Sequence, residues 1–86
     1  MMGVAVPGWL ANHDGSVVRD VDSRKWLVLF RNEPQYHIDV HPAGGEFAAD
    51  IVQSNNGRHV GSTKNCPSER DALAAGLEEL RKLLGW

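Results

Sequence analysis

Between residues 36 and 41 polar and apolar positions alternate without a break. Tyr36, Ile38 and Val40 fall on one side; His37, Asp39 and His41 fall on the other. A period of two is the mark of a half-buried strand. Phe47, Ala49 and Ile51 repeat it, with Ala48, Asp50 and Val52 opposite. Residues 26–31 differ, because Trp26, Val28 and Phe30 face one way while Leu27 and Leu29 face the other. A strand apolar on both sides is covered twice or awaits a partner. A short fourth strand follows at 58–63. Turn residues at 32–35 and 42–45 and the pair Asn56-Gly57 separate these runs. Asn-Gly is the strongest hairpin signal in the chain.

After residue 67 the period changes. Leu73, Gly76, Leu77, Leu80 and Leu84 form a single helical stripe, widened by Ala72 and Leu83. Arg70, Asp71, Glu78, Arg81 and Lys82 lie opposite, with Glu78 spaced to pair with Lys82. Ser68 is placed to cap the helix, and Gly85 to stop it in a left-handed conformation with Trp86 folded back on the last turn. Gly76 costs about 1 kcal/mol of helix propensity against Ala. Its place on the stripe predicts close approach of a strand or a ring.

Register follows from parity. A two-residue Asn56-Gly57 loop sets Val60 opposite Gln53. Either a two- or a four-residue turn at Gly44-Gly45 then puts Tyr36, Ile38, Val40, Phe47, Ala49, Ile51 and Val60 on one face. The helical leucines cover it. The predicted fold is therefore α+β: a three- to four-stranded antiparallel meander packed on one C-terminal amphipathic helix. A four-residue loop at 32–35 would bring Leu27 and Leu29 into this core and leave Trp26, Val28 and Phe30 outside with Val52. A one-residue change in that loop reverses the assignment. Residues 1–25 read as an N-terminal arm, partly disordered or adding an edge strand, and residues 26–86 as the single domain. Within the arm, 4–6 is a possible strand, and Asp14-Gly15 a possible hairpin turn between 9–13 and 16–19.

Composition narrows the function classes. Eighty-six residues with 42% hydrophobic content make one small globular domain. A net charge of −2 with interspersed signs argues against general affinity for nucleic acid. The single Cys66 cannot form an internal disulfide or anchor a zinc cluster, and it fits a reducing cytosol. No signal peptide and no membrane-spanning run is predicted.

His37, Asp39 and His41 share a strand face, and Asp50 and His59 join it from neighbouring strands. Same-face neighbours on a strand stand about 7 Å apart, so His37 and His41, about 13 Å apart, cannot easily serve one ion with Asp39. No metal and no cofactor are expected. A His37–Asp50 base pair would need a nucleophile, and Cys66 has no positioned base beside it, so no catalytic residue is assigned. The predicted function is a non-enzymatic, cytoplasmic protein-interaction module, acting on a protein partner or as a homodimer, with no membrane and no small-molecule substrate. Its anchors are Trp26 and Phe30 with the polar outer face His37, Asp39, Asp50 and His59. The alternative is a nucleic-acid-binding module using Arg58, His59 and Lys64 at the basic hairpin end.

The span 38–69 resembles part of the small phage-encoded anti-CRISPR proteins that block type I surveillance complexes. The residues that carry this are Ile38, Val40, Gly45, Ala49, Ile51-Val52, Gly57-Arg58, Val60-Gly61 and Ser68-Glu69, all turn and core positions. The order of elements is also similar to the arm-binding domains of phage integrases and to the partial RNase-H-like antitoxin fold. The integrase domains are markedly basic, and the antitoxin fold needs a further strand after the helix. What the resemblance implies is a class, phage-related proteins that act by occupying a partner's surface; it assigns no site residue.

Overall fold

The computed structural model describes residues 6–20 and 25–86. A short helix α1 (Gly8–Ala11) leads into five strands: β1 (Gly15–Arg19), β2 (Trp26–Phe30), β3 (Glu33–Ala43), β4 (Glu46–Gln53) and β5 (Arg58–Ser62). The helix α2 (Glu69–Leu84) closes the chain. The strands form one antiparallel sheet in the order β1-β2-β3-β4-β5, a meander with α2 packed on one face. It is thus the α+β architecture read from the periodicities, with one strand more.

The extra strand comes from the first 25 residues. Asp14-Gly15 does not turn a hairpin between two strands, because residues 8–11 are helical. β1 pairs instead with β2, Val17 opposite Val28. Leu10 and Val17 belong to the same core as the later elements. Of the possible strand at 4–6, residues 4 and 5 lie outside the described residues, and Val6 is not in a strand.

Two tight turns set the sheet. Gly44 and Gly45 both have positive φ (58° and 85°) and join β3 to β4 with Ala43 opposite Glu46. Arg31 and Asn32 do the same between β2 and β3 (φ 53° and 66°), with Phe30 opposite Glu33. Two consecutive positive φ values match the right-handed twist of a hairpin. The loop therefore has two residues where four were expected, a change that by itself preserves parity. Parity is reversed by a bulge. Leu29 pairs with Pro34 but Val28 pairs with Tyr36, so Gln35 is the extra residue. Its carbonyl accepts from the Ser54 N–H (2.9 Å). Beyond the bulge Trp26 stands opposite Ile38, on the helix side.

The second expected register also moves. The β4–β5 connection spans 54–57, with Gln53 opposite Arg58 and not Val60. Val60 is itself a bulge residue: His59 pairs with Val52, and Gly61 with Ile51. It still packs against the core.

The inner face holds Val17, Val28, Ile38, Ala49 and Ile51 under Ala72, Leu73, Leu77 and Leu80. Ser68 caps α2 by accepting from the Asp71 N–H (3.1 Å). Gly85 (φ 75°) ends it, with the Gly85 N–H on the Lys82 carbonyl and the Trp86 N–H on that of Arg81. At Gly76 a Cβ would lie 3.1 Å from Ile38 Cγ2 and 3.4 Å from Ala49 Cβ, so the strands do approach closely there. Glu78 pairs with Arg81, not Lys82; this bond, with the cations beside it, holds the carboxyl below its ordinary pKa. The main chain of Trp86 returns to the last turn, while its ring reaches other elements. It stacks on His13 (3.7 Å, 7°), meets Phe30 edge-on (5.5 Å) and lies 6.1 Å from Trp9, tying both described ends of the chain together.

Candidate functional site

Among the described residues the other face of the sheet carries no helix. Its cross-strand rows follow from the pairing: Val18, Leu27, His37, Val52 and His59 in one, Asp39, Asp50 and Ser62 in the next, then His41 beside Ala48, with Ser16 beside Leu29 at the opposite end. One half of this face, over β1 and β2, is apolar. The other, over β3 to β5, is a network of charges and imidazoles.

Asp39 stands directly opposite Asp50. Like charges in that position destabilise a sheet unless answered. Asp50 answers by accepting on both oxygens: His41 Nε2 lies 3.1 Å from Oδ2, and His59 Nε2 lies 3.2 Å from Oδ1. The His41 Nδ1 also faces the Pro42 carbonyl at 3.3 Å. The three side chains are 41%, 36% and 58% exposed for His41, Asp50 and His59, so each pair contributes about 0–1 kcal/mol. They orient one another more than they stabilise the fold.

Among the described residues His37 has no such partner. It lies half-buried in the row between Leu27 and Val52, and its pKa is lowered. Burial is the largest cause and the Lys25 charge adds to it, while Asp39 opposes both.

The expected site residues thus divide. His37, Asp39, Asp50 and His59 share the open face. Trp26 and Phe30 do not join them. Because the bulge at Gln35 turns β2 over, both lie on the helix side, Trp26 with the Arg19 guanidinium 5.5 Å from its ring and Phe30 against Trp86. The imagined His37–Asp50 pair is replaced by His41–Asp50–His59. In their place on the open face stand Leu27, Leu29 and Val52, half-buried, and Val18, 45% exposed. Nothing in the alternation of residues 26–31 chooses between Val28 and Leu27 as the inner residue. Arg31-Asn32 lacks the Asn-Gly form that would have located the turn.

Arg58 is exposed at the hairpin end, where its N–H donates to Asn56 Oδ1. Lys64 lines a shallow groove between the end of β5 and α2, together with Cys66, Glu78, Glu79 and Lys82, a surface of mixed charge. Cys66 bridges to Phe47 through main-chain bonds in both directions and packs against the core. Among the described residues no three His, Cys, Asp or Glu side chains are arranged to hold a metal ion. No described helix is long and apolar enough to cross a membrane.

Compared with family models, with curated proteins and with solved structures, the chain finds no match.

Proposed function

We propose that the protein is a non-enzymatic interaction module that works by contact through the open face of its sheet. The observation that carries this reading is the apolar half of that face, Val18, Leu27 and Leu29, left without a covering element among the described residues. A small domain rarely leaves contiguous apolar surface to water unless another molecule covers it. The adjoining His41–Asp50–His59 network supplies the polar rim that such a contact needs. Resemblance of the 38–69 span to small phage anti-CRISPR proteins points the same way, toward a protein partner whose surface is occupied. A free Cys66 suits the cytoplasm.

The test is a pair of substitutions on the open face, Leu27→Lys with Leu29→Lys. Neither side chain belongs to the core, so the melting temperature is expected to stay within a few degrees. Cross-links formed to a partner in the native host are expected to map to β1–β4 and to vanish in the double variant. Cross-links that persist in the variant, or that map to α2, would end this reading.

A further inference from the structure

The two edges of the sheet are unequal. β5 is broken by the bulge at Val60, and its continuation strays into single contacts, the Thr63 N–H to the Ala49 carbonyl and the Cys66 bridge to Phe47. A bulged edge twists away and resists pairing. β1 has none of these protections. It contains no proline, and its register with β2 runs unbroken from Gly15–Phe30 to Arg19–Trp26.

The hydrogen bonds say which way its main chain points. Asp14 O accepts from the Arg31 N–H (3.0 Å), and the Asp20 N–H donates to Lys25 O (2.8 Å). Bonded pairs alternate along an antiparallel ladder. Asp14, Ser16, Val18 and Asp20 therefore turn their polar groups toward β2, and Gly15, Val17 and Arg19 turn theirs away from the sheet.

We infer that this edge, unpaired among the described residues, pairs with β1 of a second copy, antiparallel about a two-fold axis at Val17. In that register Val17 meets Val17 of the second copy, and Gly15 meets its Arg19. All outward N–H and C=O groups then fall at bonded positions, giving six main-chain bonds and one continuous sheet. Arg19 already lies over Trp26, and it must stay there in the pair, because the space above Gly15, the residue it would meet, is filled by the side chain and carbonyl of Leu10. On the open face Ser16 and Val18 alternate across the axis, so the apolar halves of the two copies merge. Pairing stops at the strand ends, where Asp14 of one copy would face Asp20 of the other. Five residues per copy make a small interface, so association is weak and concentration-dependent. The inference rests on the reading of the chain as an interaction module and names the copy as its partner.

Sedimentation equilibrium from about 10 µM to about 1 mM reads it, the range a small interface requires. The wild type is expected to move from 9.5 kDa toward twice that mass. Arg19→Pro removes an outward N–H without touching the ladder to β2. Val18→Lys places a charge on the edge where the side chain is already exposed. Each is expected to weaken association at least about tenfold, Arg19→Pro by the loss of one net hydrogen bond per copy and Val18→Lys by setting like charges near each other across the two-fold axis. Glu46→Lys, at the exposed start of β4, should leave it unchanged. In the wild type, exchange protection at the Gly15, Val17 and Arg19 amides should rise with concentration while that of Ser16 and Val18 stays constant. A single-chain mass throughout overturns the inference, as does a dimer that ignores Arg19→Pro and Val18→Lys. A dimer abolished by Leu27→Lys but kept by Arg19→Pro belongs to the open face instead: it would overturn the edge and leave the face reading standing. The reverse pattern would uphold the edge even if the face binds nothing.

Discussion

On the inner face of the sheet Ile38, Ala49 and Ile51 are fully buried beneath α2, while on the outer face His37 and Val52 of the same strands keep part of their surface in solvent. β3 and β4 supply both sets, one residue apart. What separates them is the period of two and the presence of a cover on one side only. β2 sharpens the contrast because it is apolar on both sides. Val28 is fully buried, yet Leu27 and Leu29, no less hydrophobic, are only half covered. Hydrophobicity did not choose between them. One inserted residue, Gln35, did so by turning the strand over. The lesson is that a sheet face can become a binding surface through register alone, with no change in composition.

Deleting Gln35 attacks this comparison most directly. Restored parity would drive Leu27 and Leu29 under the helix and expel Trp26, Val28 and Phe30. The expected cost is about 4 kcal/mol or more, in the range reserved for a disrupted core, with a red-shifted tryptophan emission in any folded remainder. A blue-shifted spectrum and an unchanged urea midpoint would refute the role given to the bulge.

Truncation compares the faces residue by residue. Leu80→Ala, at a fully buried position, should cost about 3 kcal/mol, and Leu27→Ala about 1 kcal/mol or less, by chemical denaturation. Equal losses would mean that the outer face is as well packed as the inner one.

Gly76→Val tests how closely α2 approaches the sheet. With Ile38 Cγ2 only 3.1 Å from the added Cβ, overpacking should cost about 2 kcal/mol despite the removal of a glycine from a helix. Next in size comes Trp86→Ala. Its ring contacts with Trp9, His13 and Phe30 are worth about 1 kcal/mol, and their loss should raise amide exchange in α1 before that of β3 and β4.

The smallest effect is the response to pH. Burial lowers the pKa of His37 below its ordinary 6.5, so the folded protein binds this proton less readily than the unfolded chain. The unfolded state takes up more protons as pH falls through 6.5, and stability declines until the lowered value is passed. His37→Gln should therefore flatten the dependence of melting temperature on pH below 6.5 and leave it unaltered above. If the two proteins lose stability in parallel on acidification, His37 is not the group responsible.

Much of the fold was already written in local patterns. Period two in residues 36–41 and 47–52, period 3.6 after Ser68, and the cap and stop at Ser68 and Gly85 depend on neighbours within a few positions, and the structure contains each of them. The close approach at Gly76 was legible too, since a glycine on an apolar stripe has few other uses. Part of the open face followed from alternation alone: His37, Asp39, Asp50 and His59 lie on it as expected. What no local pattern contained was parity across the β2–β3 turn, because it depends on whether one residue is inserted as a bulge. That insertion is stabilised by contacts from elsewhere in the chain, such as Ser54 on the Gln35 carbonyl. Nor did the sequence announce that Trp86 would reach across to Trp9 and His13, or that His41 and His59 would meet on one carboxylate. The amino-acid sequence by itself determined which segments become strands or helix and which positions alternate, since those preferences act between near neighbours. Only the tertiary structure decided which side of β2 faces the core, because a one-residue slip costs little locally and is resolved by the burial of the whole sheet.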